Sequence, residues 1–218
     1  MRDDVKRRSY RSPRRREQAE QTRQRILDAA AALFQARGYD GTSISAVAAE
    51  AGVAEETVYA RFGNKRTLLG ELAQRAVRGE DAAPVLEQAG PRAVAAATDQ
   101  REQLRLFAAD VVLRLERAAP LVSVVATAAR SEPELAELWS RLQGDRLTNL
   151  RRFVELLAAN GPLRLPPDAA AETVWALTSP GLHQLLVRER RWSRRRYTAW
   201  LADSLASLLL TAGNRRRA

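Results

Sequence analysis

Apolar residues along much of this chain return every three or four positions, the spacing that places them on one side of a helix. Between Glu17 and Arg37 they are Ile26, Leu27, Ala30, Leu33 and Phe34, and Gly38 follows as a residue suited to end the helix. A second helix is expected after Thr42 or Ser43, either of which can cap it. It would run through Ile44, Val47 and Ala48 to Ala51, where Gly52 breaks it. A third covers residues 55–62, Gly63-Asn64 interrupts again, and a fourth begins near Lys65.

Residues 84–97 hold Pro84, Gly90 and Pro91 and are expected to separate two helical segments. Beyond them, prolines and caps mark helix starts. Pro120 would open a helix to Arg130, and Ser131-Glu132-Pro133-Glu134 a long one ending at Asn160-Gly161-Pro162. Pro166-Pro167-Asp168 would open another, interrupted at Ser179-Pro180-Gly181. Ser193 would cap the last, which fades at Gly213. No segment has the period of a strand and no internal repeat is present. The chain therefore reads as all-α, with about eight to ten helices.

Composition narrows the chemistry. The 218 residues can bury a sizeable core, and the apolar content is mostly Ala, Leu and Val. With no cysteine and a single histidine, His183, a disulfide framework and a thiolate metal site are excluded, and nucleophilic catalysis loses most of its bases. No phosphate loop, nucleophile elbow or metal cluster is present, so the chain is not expected to be an enzyme or to need a cofactor. No apolar run reaches the length of a membrane span, and the N-terminus has no apolar stretch after its charges, so a cytoplasmic protein is expected.

The formal net charge is +10, and of the 36 cationic residues only Lys6 and Lys65 are lysines. Such a charge suits an acidic partner, nucleic acid or an anionic membrane. Heavy Arg and Ala use also arises from genome base composition, and charge alone does not separate the two readings. Residues 1–16 carry eight Arg/Lys against Asp3 and Asp4 and read as a disordered basic arm. Residues 17–70 hold six cationic and seven acidic residues, so the arm supplies the excess.

The two short helices around Gly52 have the pattern of a helix-turn-helix. Ala48 lets them cross closely, Gly52 can take the left-handed backbone of a tight turn, and Val47, Val53 and Val58 supply apolar contacts. The second helix would then present its outer face to a DNA major groove. Gly38-Tyr39-Asp40-Gly41-Thr42-Ser43-Ile44, then Val47 to Val53, then Thr57-Val58-Tyr59-Ala60-Arg61-Phe62-Gly63-Asn64-Lys65 through Leu69 resemble the DNA-binding domain of TetR-type regulators. The likeness is continuous from about Thr22 to Leu69, and the Tyr59, Phe62, Lys65 spacing is its most specific part.

That resemblance implies three parts: the arm at 1–16, a DNA-binding domain at 17–69, and a helical effector-binding and dimerisation domain at 70–218. It implies phosphate contacts from Thr42, Ser43, Tyr59 and Lys65, and places Thr57, Ala60 and Arg61 on the recognition helix. Thr57 would touch a thymine methyl or a phosphate, and Arg61 a phosphate or a guanine. Phe62 reads as core. Two departures stand out. Ala54 occupies the cap position of the recognition helix and cannot cap it. Glu55 and Glu56 suit the helix dipole but repel phosphate; they either accept from a cytosine amino group or point to solvent.

The later helices are less specific. Tyr197, Trp200, Leu201, Leu205, Leu208 and Leu209 form one stripe, and Val174, Trp175, Leu177, Leu182, Leu185 and Leu186 another. As the resemblance suggests, two such helices from each of two chains would make a homodimer bundle, although part of each stripe must belong to the monomer core. A ligand cavity would lie among the middle helices, with Phe107, Val111, Val125, Trp139, Trp175 and His183 as candidate walls, joined by Leu104, Leu121, Val124, Leu138 and Leu142. That lining predicts a small hydrophobic effector. The expected partners are double-stranded operator DNA, a second copy of the chain and such an effector, with no membrane. A basic helical protein binding RNA or anionic lipid through its arm is the competing reading, and selectivity for one duplex separates them. Deleting residues 1–16 is expected to weaken DNA binding and lower its salt slope by about one unit for each phosphate the arm would have neutralised. Fluorescence anisotropy across a salt series checks this; an unchanged slope removes the arm from the interaction.

Overall fold

The computed structural model describes residues 13–79, 81 and 83–211. Among them are ten α-helices and no β-strand. The chain divides after Leu68 into two compact units.

The first unit is built on α1 (Pro13–Arg37), α2 (Ile44–Ala51) and α3 (Glu55–Phe62), with α4 (Lys65–Arg78) beginning in it. α1 starts at Pro13, four residues before Glu17, so the end of the expected arm is helical; residues 1–12 lie outside the described residues. Pro13 suits a first helical position, because the N–H it lacks would have no helical partner there. Ile26, Leu27, Ala30 and Phe34 of α1 are buried, as the periodicity predicts, with Val47 and Ala48 of α2 and Val58 and Phe62 of α3. α1 packs on α2 and α2 on α3.

Local chemistry sets each of these boundaries. Ser43 caps α2 by accepting from the Ala46 N–H at 3.1 Å. Gly52 ends it with φ +63°. Its N–H donates to the Ala49 carbonyl at 3.2 Å, and the Val53 N–H donates to Ala48 at 3.0 Å. This is the paired bonding that satisfies the last carbonyls of a helix when one residue turns left-handed. Asn64 begins α4 by accepting at Oδ1 from the Thr67 N–H at 2.9 Å and the Thr67 hydroxyl at 3.1 Å. Ala54 precedes α3 with no side-chain cap, as its methyl requires.

The second unit comprises α5 (Ala89–Ala96), α6 (Gln100–Ala128), α7 (Pro133–Ala159), α8 (Pro167–Leu177), α9 (Pro180–Gln184), α10 (Arg194–Leu209) and the rest of α4. α6 is central, packing on α5, α7, α9 and α10, while α8 packs on α7. Two sequence expectations fail here. Pro120 does not open a helix but lies inside α6. Proline removes one helical hydrogen bond, yet Ala118, Ala119, Leu121 and Val122 around it are all buried, and tertiary packing carries the helix through. Gln184 lends a side-chain N–H to the Ala119 carbonyl beside the break, at 3.1 Å. Residues 84–97 are not simply a separator either, because α5 starts at Ala89 with Gly90 and Pro91 in its first turn. First-turn residues need no helical N–H bond, so proline is tolerated there. A Cβ at residue 90 would sit 2.1 Å from Asp110 Oδ1, which is why this crossing carries glycine.

α7 and α8 begin at Pro133 and Pro167 as expected, and Ser193 caps α10, which ends at Leu209; Gly213 is outside the described residues. Tyr197, Leu201, Leu205 and Leu209 are buried inside the unit, as is Val174 of α8. Trp175, Leu177, Leu186 and Trp200 are partly buried against the same core, and only Leu185 and Leu208 of the two stripes are largely exposed.

Because Gly52 is left-handed, Gly52→Ala is expected to cost about 1–2 kcal/mol. Nothing lies nearer than 3.9 Å to the added carbon, so the cost is one of backbone conformation and not of collision. Urea unfolding checks this, with Gly52→Asn expected to cost less.

Candidate nucleic-acid interface and ligand cavity

α3 divides cleanly into two faces. Val58 and Phe62, one turn apart, point inward, with Val58 0% and Phe62 4% exposed. The Arg23 guanidinium lies 5.6 Å from the Phe62 ring centroid. Tyr59, Ala60 and Arg61 are exposed, as are Glu55 and Glu56, and Thr57 is half-buried. Tyr59 is half open to solvent. Of the three residues expected to read bases, Ala60 and Arg61 are exposed and Thr57 is partly so.

The loop between α1 and α2 is held from two sides. Lys65 donates from Nζ to the Tyr39 and Thr42 carbonyls, each at 3.1 Å. The same ammonium stands 3.9 Å from the centroid of the Tyr39 ring. Lys65 therefore secures the backbone of that loop. Thr42 is 2% exposed, and its hydroxyl donates to the Gly38 carbonyl at 2.8 Å, just past the end of α1. Ser43 is exposed, and its hydroxyl lies 2.9 Å from that of Ser45, a neighbour the sequence reading did not select.

Within the second unit, α4, α5, α6 and α7 enclose a cavity of about 720 Å³, whose walls are mainly apolar. Phe107, Val111 and Leu142 line it, as expected. Phe107 stacks on Phe153 with ring centroids 3.9 Å apart. Val125, Trp139, Trp175 and His183 are not among its lining residues, nor are Leu104, Leu121, Val124 and Leu138. Val125 is core, Trp139 is half-buried, and Trp175 carries the Arg146 guanidinium 5.1 Å from its ring centroid. His183 is buried edge-on against Tyr197, with centroids 5.1 Å apart and neither imidazole nitrogen bonded. Burial lowers its pKa, while Glu116 opposes the shift and Arg188 adds to it.

The cavity also holds polar groups that hydrophobic patterning passes over. Arg114 and Asp110 form a two-pronged pair, Nε to Oδ2 at 2.7 Å and Nη2 to Oδ1 at 3.1 Å. Arg146 donates to the Thr178 hydroxyl at 2.9 Å, to Gln143 Oε1 at 3.2 Å and to the Trp175 carbonyl. Burial pulls its pKa down to about 10. Burial likewise pushes the Tyr197 hydroxyl up to about 12, and that hydroxyl donates to the Leu177 carbonyl at 3.3 Å. One signal for Arg146 was present in the sequence: it stands four residues from both Leu142 and Leu150, inside the apolar stripe of α7.

A long helix followed by two short ones, the last with a buried edge and an open face, makes the helix-turn-helix of a DNA-binding protein, with a helical C-terminal domain after it. Residues 26–72 match the bacterial regulatory proteins of the tetR family. Over 57 residues the chain is 39% identical to the HTH-type transcriptional regulator AcrR of Shigella flexneri, a stretch that is 26% of this chain and 26% of that protein. The chain thus matches this curated relative over about a quarter of its length. The likeness of fold reaches further. A Mesorhizobium loti protein placed in the TetR family superposes with a TM-score of 0.67 at 23% identity, covering 88% of this chain and 98% of that one. FadR of Bacillus subtilis, solved with stearoyl-CoA, gives 0.65 at 18% identity over 85% and 98%. The likeness in sequence to the tetR family lies in residues 26–72, and the likeness beyond them is one of fold.

Lys65 and Arg61 are expected to separate by experiment. Lys65→Met should destabilise the protein by about 1–3 kcal/mol, since two carbonyls lose a charged donor. Arg61→Ala should change stability by less than about 0.5 kcal/mol. It should weaken DNA binding by about 1–3 kcal/mol at one base position, or lower the salt slope by about one unit if the partner is phosphate. Denaturant unfolding and anisotropy on the same samples decide; an unaltered affinity for Arg61→Ala takes that residue out of the interface.

Proposed function

We propose that this protein is a transcriptional repressor that binds operator DNA as a homodimer and releases it when a small, largely apolar effector enters the cavity. The observation that carries the reading is the outward face of α3, with Tyr59, Ala60 and Arg61 open to solvent on a helix anchored by Val58 and Phe62. A major groove admits such a helix, and two of them about 34–36 Å apart in a dimer read successive grooves. Ser43, at the N-terminus of α2, supports a phosphate contact, because helix N-terminal amides favour anions. Arg14, Arg15 and Arg16 are exposed on the first turns of α1 and support the basic segment's part in holding the duplex. Leu185 and Leu208 are the outward remainder of the two apolar stripes and support association of α8–α10 with a second copy.

The cavity supports the effector half of the reading. Its volume and apolar walls are those of a small-molecule site. α4 begins at Lys65, beside the α1–α2 loop, and further along supplies Gln74, Val77 and Arg78 to the cavity wall. An effector that binds one conformer better than the other shifts DNA affinity by that difference and no more. FadR of Bacillus subtilis, a regulator of this fold, holds stearoyl-CoA, which supports an effector with a long apolar part.

The test is anisotropy binding to labelled duplex from upstream of the protein's own gene, against a scrambled duplex of equal length. A preference of about 10³ or more at near-physiological salt is expected for a specific regulator. Equal, strongly salt-dependent binding to both duplexes would leave only the basic segment acting and would sink the operator reading at that site.

A further inference from the structure

Arg78, Arg114, Arg146 and Arg152 line the cavity together with Asp110, Asp145 and Glu155. The Arg114 side chain is 12% exposed, and Asp110 neutralises its charge through two hydrogen bonds. Arg146 is different. Its three acceptors, the Thr178 hydroxyl, Gln143 Oε1 and the Trp175 carbonyl, are all uncharged, and no carboxylate among the described residues pairs with it. The end of α8 offsets part of its charge, because Trp175 lies in the last turn, where helix carbonyls carry partial negative charge. A fixed guanidinium still remains largely out of water, beside the apolar walls of a cavity. A charge placed so is costly unless an anion or several hydrogen bonds compensate it.

The guanidinium is also aimed and not fully used. It has five N–H donors, of which three are taken by the acceptors above, leaving Nε and one N–H of Nη1. Each can donate to an oxygen of an acidic group, and a hydrogen bond between two charged partners is about twice as strong as a neutral one. We infer that the cavity takes an amphipathic anion, with a single acidic group seated on Arg146 and an apolar body lying along Phe107, Phe153 and Val111. The inference rests on the reading of this cavity as the effector site. It refines the expectation of a purely hydrophobic effector: a neutral ligand of the same size would leave the charge uncompensated.

Three ten-carbon probes of one shape and different charge test this: decanoate, decan-1-ol and decylamine. Their binding is measured by calorimetry on the full chain without DNA, at about pH 7.5, where the acid is ionised and the amine protonated. Decanoate is expected to bind about tenfold or more tightly than decan-1-ol, with decylamine weakest. Arg146→Gln, checked for folding by circular dichroism, should erase the preference for the acid, and Arg146→Lys should keep part of it. The comparison of probes on the unaltered protein decides even where a variant fails to fold. Decan-1-ol equalling decanoate, no measurable binding of decanoate, or a preference that survives in folded Arg146→Gln overturns the inference. A separate arm adds decanoate to the protein on its operator duplex. Selective binding that leaves DNA affinity unchanged upholds the anionic site and removes the effector reading. A bound alcohol that releases DNA does the reverse.

Discussion

An eight-residue helix cannot hold itself in water, because so short a run does not recover the cost of nucleation. α3 is such a helix, and it lacks even a capping side chain at Ala54. Its position is therefore imposed from outside, by burial of Val58 and Phe62 on one side and by fixed turns before and after it. The left-handed residue at Gly52 sets how the chain leaves α2, and Asn64 sets how it enters α4. Everything the outer face of α3 can do follows from that constraint, since Tyr59 and Arg61 are only as well placed as the helix beneath them.

The Lys65 contacts belong to the same scheme. One ammonium joins the start of α4 to two carbonyls of the α1–α2 loop and to the face of Tyr39. A cation used in this way orders backbone that would otherwise be free, and so acts on the interface through position. Thr42 does likewise by closing the end of α1. Residues next to a candidate DNA surface thus divide between those that shape it and those that face outward. Residue type alone does not tell the two apart, because a hydroxyl or an ammonium serves a carbonyl as readily as a phosphate.

In the second unit the governing problem is the placing of charge. Most of the 36 cationic residues need no partner, but a few fall among the packed helices. Arg114 and Arg146 both do so, and the fold treats them differently. Asp110 lies one turn from Arg114 on the same helix, so that pair is local and self-contained. Arg146 finds only neutral partners from its own helix and from the end of α8. The cavity therefore joins apolar walls to a half-buried guanidinium, Arg146, with no carboxylate partner among the described residues, a combination that no list of hydrophobic residues describes.

The helices of the first unit were legible because their signals are local. Periodic apolar positions, Ser43 as cap, Gly52 as break and the Tyr59, Phe62, Lys65 spacing all act within a few residues of where they occur. The starts of α7, α8 and α10 were legible for the same reason. Where local and distant forces compete, local signals mislead: Pro120 marks a break, but the buried residues around it keep α6 continuous, and Gly90-Pro91 marks a loop, but Gly90 fits against Asp110 in the first turn of a helix. The cavity was the least legible part. Phe107 and Val125 are both apolar residues of α6, and which of them meets empty space depends on how α4, α5 and α7 pack around that helix. The sequence by itself determined the all-α class, the helix-turn-helix and the likeness of residues 26–72 to the tetR family. Only the tertiary structure decided that Lys65 holds the Tyr39 and Thr42 carbonyls, that His183 is buried against Tyr197, and that Arg146 lines a cavity, because each depends on contacts between residues distant along the chain.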